Sequence, residues 1–168
     1  RQLTEVLRFA VEYCRSIGIH RAVWSNEWLF ARSKAALPAL KAVEADGIDV
    51  NIIAYVRRHD AWARSSYVQW GLKHKTYEGD VLTFEEFRKK RRSSLMFSKS
   101  LETWIDVFGK KVRVKNFDIV GDVVDDFLME IGIPTDAIEH RYSNETPSNE
   151  ELMLRAIFNS RFSDKVKP

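Results

Sequence analysis

Two adjacent arginines, Arg57 and Arg58, directly follow the apolar run Ile52–Val56, and the order Ser65-x-Tyr67-x-Gln69 comes one short interval later. Arginine carries a planar five-donor fork that pairs bidentately with phosphate or carboxylate. A serine hydroxyl adds one more donor to such an anion. Asp60 follows the arginines and reads as the cap of a helix, and a helix N-terminus favours negative charge. A phosphate held there would meet Arg57, the Ser65 hydroxyl and that helix end. The spacing also allows a plainer outcome, in which both arginines pair with surface carboxylates such as Asp60.

A second group of candidates lies in "WSNEWLF", Trp24 to Phe30. Glu27 follows a strand-like segment there. A carboxylate in that position either accepts a proton from a sugar hydroxyl or serves the next helix as a cap or ion-pair partner. Ser25 either orients a substrate or closes the turn. The run Arg88–Arg92 reads as a solvated helix face, with polyanion binding as its alternative. His74 stands between two lysines, and the four histidines show no metal-ligand spacing, so no metal is expected. Tyr67 and Trp70, three apart, read as packing residues rather than a sugar platform.

The elements that must hold these groups are marked by periodicity and caps. Leu3, Val6, Leu7, Ala10, Val11, Cys14 and Ile17 follow helical spacing up to Gly18. "IHRAVWS", Ile19 to Ser25, suits a short strand. A helix is expected over 31–45, interrupted by Pro38 and ended by Asp46-Gly47. "DVNIIAYV" is apolar on both faces, the pattern of a parallel strand covered by helices on both sides. Asp60 opens a helix to about Lys73. Thr83 and Glu86 form a capping box, with Leu82 and Phe87 as a hydrophobic staple. Leu101, Trp104, Ile105 and Phe108 make another helical stripe, closed by Gly109. "KKVRVKNF" alternates as a strand near a sheet edge. Asp122 opens a helix with Val123, Phe127 and Ile131 inward, closed by Gly132 and Pro134. Ser148 and Glu151 form a second box, and 139–149 reads as a long loop. The order of helices and strands predicts an α/β fold with a parallel sheet and crossover connections, in one domain over 1–168.

Bulk composition sets the outer bounds. The 168 residues are 45% hydrophobic and 30% charged, which is the balance of a chain with a core rather than of a disordered one. A net charge of +3 permits an anionic ligand without requiring one. No apolar run reaches the length of a membrane span. The single cysteine, Cys14, excludes an internal disulfide framework and is expected in the core. It fits a reducing compartment, and the cytoplasm is the expected location. Asn144–Thr146 is a glycosylation sequon of the kind that arises by chance. The chain starts inside a helical pattern, which points to a domain incomplete at its N-terminus.

The stretch Arg57-x7-Ser65-x-Tyr67-x-Gln69 after an apolar strand resembles the 3′-phosphate-binding segment of the sulfotransferase superfamily, and of carbohydrate sulfotransferases in particular. "AVWSNEWLF" resembles the family's second strand and turn. "FGKKVRVKNFDIVGDVVDDFLMEIGI" is similar to its late strand and following helix, and "NETPSNEELMLRAIFN" looks like the C-terminal part of bacterial members. The family's first strand and phosphosulfate loop, with a catalytic lysine, have no counterpart in these residues. His59 stands where the family commonly has proline.

The resemblance implies a three-layer α/β/α fold of the P-loop nucleotide-kinase-like type, lacking here its first strand and P-loop. It implies transfer of a sulfuryl group from 3′-phosphoadenosine 5′-phosphosulfate to a hydroxyl of a glycan, glycolipid or small acceptor, without metal. Arg57 and Ser65 would bind the donor's 3′-phosphate, Glu27 would act as general base, and Ser25 and His59 would contact the acceptor. Two alternatives stay open. One is a binding module of the same fold that performs no chemistry. The other is a basic nucleic-acid-binding domain using Arg88–Arg92, although no nucleic-acid partner is expected.

Overall fold

A computed structural model describes residues 2–26, 28–139 and 147–164, with the side chains of Ala31, Ser94 and Ala137 left aside. The fold is mixed α/β and mostly helical, with a small parallel sheet of two strands among the described residues. The helices are α1 (Gln2–Ser16), α2 (Trp28–Ala31), α3 (Ser33–Ala45), α4 (His59–Tyr67), α5 (Phe84–Lys90), α6 (Arg92–Leu95), α7 (Ser98–Phe108), α8 (Val123–Glu130) and α9 (Asn149–Asn159). The strands are β1 (Ile52–Val56) and β2 (Val112–Asn116). A π-helical turn, Val68–Lys73, continues α4. The chain divides into two compact units, 1–54 with 97–115, and 55–96 with 116–168.

The first unit is built on α3 and α7. Ala36, Leu37, Val43, Val50, Trp104 and Phe108 form its core, and Leu7, Val11, Leu29 and Phe30 pack partly buried against it. Trp104 stacks on Phe108 at 6.4 Å between ring centroids, and its Nε1 donates to the Phe30 carbonyl at 3.3 Å. Pro38 does not interrupt α3, contrary to the expectation; the break falls at Arg32, between α2 and α3. A proline inside a helix removes one backbone hydrogen bond. Burial of Ala36, Leu37, Ala39 and Val43 along the same helix offsets that loss.

Two other expectations fail in this unit. Residues 19–26 form neither helix nor strand and are exposed, so the expected strand Ile19–Ser25 is absent. Strand propensity is realised only against a partner, and among the described residues none pairs with this segment. Helix α1 has the expected extent, yet buries no residue completely, and Cys14 is half-buried rather than in the core. Its Phe9 and Tyr13 face solvent at 71% and 58% exposure, so the apolar pattern of this helix is wider than the face it packs.

The second unit is organised around aromatic packing. Phe87 of α5 is 1% exposed. Tyr67, the last residue of α4, meets Phe84 and Phe87 edge-on at 5.5 and 5.3 Å, and its hydroxyl donates to the Leu82 carbonyl at 2.8 Å. Gly71 in the π-turn lies against the Tyr67 ring; a Cβ there would stand 2.5 Å from Cδ2 and 2.8 Å from Cε2. The Thr83–Glu86 capping box is present in both directions. Asp122 caps α8 by accepting from the Val124 and Asp125 amides at 2.7 and 3.1 Å, and Gly132 follows that helix at φ +68°. In α8 the buried residue is Leu128, with Val123, Phe127 and Ile131 half-buried. Ser148 caps α9 by accepting from the Glu151 amide at 3.2 Å.

The tail of the second unit is tied down by a fully buried cation. Lys75 is 0% exposed, and its Nζ donates to the carbonyls of Phe162 and Asp164 at 2.7 Å each. The Gly79 amide donates to the Ser163 carbonyl at 2.6 Å. Asn159, also buried, donates to the Leu72 carbonyl. Lys75 adopts φ +25°, the one positive φ outside glycine among the described residues. Among these residues no helix is long and apolar enough to cross a membrane.

Candidate functional site

The site begins where β1 ends. A parallel strand delivers its carboxyl end toward the crevice in which ligands of open α/β sheets bind. Arg57 follows Val56 directly, and α4 starts two residues later at His59. Its N-cap is Arg58, without a side-chain cap, so Asp60 is not the capping residue expected. Asp60 occupies the first turn instead and binds the Arg58 fork, at 3.1 Å from Nε and 2.9 Å from Nη2. Both groups are exposed, and this pair holds the Asp60 carboxyl below its usual range.

Arg57 is held differently. Its Nε donates to Asp118 Oδ1 at 3.2 Å, and its guanidinium lies 4.5 Å from the centroid of the Phe117 ring. The other carboxylate oxygen of Asp118 accepts the backbone amide of Arg58 at 2.9 Å. That amide contact first, and the Arg57 pair after it, hold the Asp118 carboxyl below its ordinary value. Phe117 and Asp118 come from the segment just past β2, and the Phe117 amide donates to the Val56 carbonyl at 2.8 Å. Parallel pairing therefore sets the ends of both strands side by side. The plainer outcome for the two arginines is thus present for Arg58 with Asp60 and, through Nε alone, for Arg57 with Asp118.

A groove of about 650 Å³ opens at this point within the second unit. Arg57, Arg58, Asp60, Ala61, Arg64, Ser65, Val68, Gln69, Asp118 and Pro147 line it. Asp60, Ala61, Arg64, Ser65 and Val68 share one face of the helix by their spacing. Arg57 and Ser65 thus reach one cavity, as does Gln69 of the same motif. Three arginines against two aspartates leave the lining cationic, which suits a phosphate better than a neutral ligand. Among the described residues no group of histidine, cysteine and acidic side chains is placed to hold a metal.

The other candidate residues fall elsewhere. His59 is exposed on the first turn of α4 and is not part of the groove lining. Ser25 belongs to the first unit, on the exposed segment 19–26, while Arg57 and Ser65 belong to the second. Glu27 lies outside the described residues, as do 140–146, which take in most of the expected long loop and the sequon. Tyr67 is a packing residue, and Trp70 lies 5.7 Å from the His74 ring. Much of the basic run is engaged internally. Arg88 pairs with Glu85 at 2.8 Å, Arg91 donates to Thr76 at 2.8 Å, and Lys90 lies over the Tyr77 ring at 5.3 Å.

Sequence reasoning passed over Asp118, Phe117 and Arg64. The first two carry a readable signal, an aromatic-acid pair directly after an alternating strand, but only pairing of β2 with β1 gives that pair its meaning. Compared with known proteins, the chain matches no family model, no curated protein and no solved structure.

Proposed function

We propose that this chain binds the 3′-phosphate of 3′-phosphoadenosine 5′-phosphosulfate and belongs to a sulfotransferase-type α/β/α domain of the P-loop nucleotide-kinase kind. The observation that supports it most is the groove shared by Arg57 and Ser65 at the end of a parallel strand. The Arg57 fork meets Asp118 through Nε, and its two Nη groups carry no hydrogen bond among the described residues. A phosphate monoester would take those donors, the Ser65 hydroxyl and the exposed fork of Arg64.

The reaction in this reading breaks the bond between sulfur and the donor's 5′-phosphate oxygen and forms one from sulfur to the acceptor oxygen. The acceptor is a hydroxyl of a glycan, a glycolipid or a small molecule. The family resemblance gives the role of base for its proton to Glu27 and of acceptor contacts to Ser25 and His59. The phosphate leaves as adenosine 3′,5′-bisphosphate, and catalysis is by positioning and electrostatics. The lysine-bearing loop that would steady the leaving phosphate has no counterpart in this sequence. A module of the same fold that binds nucleotide without turning it over would use the same Arg57 and Ser65 groove.

Calorimetry with adenosine 3′,5′-bisphosphate and with AMP tests the donor assignment. The bisphosphate is expected to bind at least tenfold more tightly (on the order of one charge-assisted contact). Equal affinities overturn the assignment. Release of bisphosphate from the donor in the presence of a hydroxylated acceptor separates the enzyme from the binding module.

A further inference from the structure

The carboxylate of Asp118 touches two functional parts of the groove at once. One oxygen holds Arg57 through Nε, and the other holds the backbone amide of Arg58, the residue that caps α4. Phe117 stacks beneath the same guanidinium at 4.5 Å. An arginine on a strand end is otherwise a long side chain with free rotamers, and ordering it for a ligand costs entropy at each immobilised bond. Here a carboxylate on one edge and a ring on one face restrain it before any anion arrives.

We infer that Asp118 is the positioning residue for Arg57: it fixes the guanidinium at the carboxyl end of β1 so that the two Nη donors meet a phosphate in the groove, with Phe117 as the platform. The inference rests on the phosphate-binding reading of this groove. It also resolves an apparent conflict, because a negative charge lining an anion site should weaken that site by simple Coulomb repulsion. Two opposite expectations follow for Asp118→Asn. If Asp118 were only a countercharge, removing it would tighten phosphate binding. If it positions Arg57, the variant keeps an oxygen for the Arg58 amide but loses the ionised partner of Nε, and binding weakens.

The experiment measures inorganic phosphate and adenosine 3′,5′-bisphosphate binding by calorimetry on the whole chain. It compares wild type, Asp118→Asn, Arg57→Lys and the double variant, with thermal unfolding as a check on folding. Asp118→Asn is expected to weaken both ligands on the order of tenfold. The double variant is expected to bind no worse than Arg57→Lys alone, since a residue that acts only through Arg57 has nothing further to lose. The Arg57 Nε–H resonance is expected to shift upfield and to exchange faster in Asp118→Asn than in wild type, as the Nε to Asp118 contact weakens.

Tighter phosphate binding in Asp118→Asn, or additive losses in the double variant, overturns the inference. Should Asp118→Asn unfold, Phe117→Leu supplies the second measurement. It removes the platform, is expected to weaken phosphate binding in the same non-additive way with Arg57→Lys, and refutes the positioning role if it does not. A wild-type chain that binds phosphate and bisphosphate but does not prefer bisphosphate over AMP sinks the nucleotide reading while leaving the Asp118 result to stand. A wild-type chain that binds no phosphate at all sinks both.

Discussion

Replacing Gly71 by alanine should destabilise the second unit, against the usual helical preference for alanine. The new Cβ would sit 2.5 and 2.8 Å from two carbons of the Tyr67 ring. Ordinary carbon contacts lie near 3.5–4.0 Å, so the ring or the π-turn must retreat by about 1 Å. The ring has little room to do so. Phe84 and Phe87 hold it edge-on at 5.5 and 5.3 Å, and its hydroxyl is bonded to the Leu82 carbonyl at 2.8 Å. A shift of that size breaks the hydroxyl bond, a loss of about 1 kcal/mol. Overpacking adds about 1–3 kcal/mol. Alanine returns up to about 1 kcal/mol over glycine in a helical turn. The net is about 2 kcal/mol of destabilisation, or roughly 4–8 °C in Tm for a chain of this size. Thermal unfolding of Gly71→Ala reads it directly. The same substitution made on Tyr67→Leu should cost nothing or stabilise slightly, because the obstructing ring is gone. An unchanged or higher Tm for Gly71→Ala alone, or an equal loss in both backgrounds, refutes the reasoning.

Three further outcomes follow from the geometry. Arg57→Lys should weaken bisphosphate binding on the order of tenfold or more, since an ammonium cannot reproduce the fork, whereas Arg58→Lys, an exposed partner of Asp60, should change it by about fivefold or less; calorimetry ranks the two, and a reversed order refutes the assignment. Lys75→Met should lower stability by about 2 kcal/mol, because two charge-assisted hydrogen bonds to the Phe162 and Asp164 carbonyls are lost while the ammonium's desolvation is relieved; protease susceptibility near 160–164 should rise, and an unaltered tail refutes it. Burial, then Lys73 and Arg155, hold the His74 imidazole below its ordinary 6.5, and its Nδ1 is buried without a hydrogen-bond partner among the described residues. The unfolded chain therefore takes up this proton first as pH falls, so stability should be highest above about pH 6.5 and should decline as pH drops through that value until the folded pKa is passed. Denaturation midpoints at pH 7.5 and 5.5 check this, and His74→Gln should lose that part of the slope.

Local signals and tertiary ones were unequally readable in this chain. The Thr83–Glu86 box, the Asp122 cap and the Gly109 stop are short-range chemistry, and each appears at the expected residues. The apolar run ending at Arg57 appears as β1 because its pattern is dense enough to outweigh context. Ile19–Ser25 carries a weaker version of that pattern and forms no strand, since a strand is completed by a neighbour that no local sequence supplies. The π-turn at Val68–Lys73 was unreadable for a different reason. Its i→i+5 bonds leave no composition signature, and the turn is held by Gly71 lying against a ring four residues earlier. In the groove, Arg57 and Ser65 could be named from spacing, while Asp118 and Phe117 depended on which strand lies beside β1.

The tail clasp has a consequence for how the molecule is made. The two hydrogen bonds from Lys75 join residues 87 and 89 positions apart, and the second unit is itself interrupted by 97–115. A ribosome adding about 5–20 residues per second therefore holds the Lys75 turn in the open for several seconds before its partners are synthesised. During that interval an ammonium destined for complete burial stays hydrated, and the Leu72 carbonyl lacks the Asn159 amide that meets it in the folded chain. The second unit can complete these contacts only after residue 164 has been synthesised, so until then the Lys75 turn is the part of this unit left without its partners.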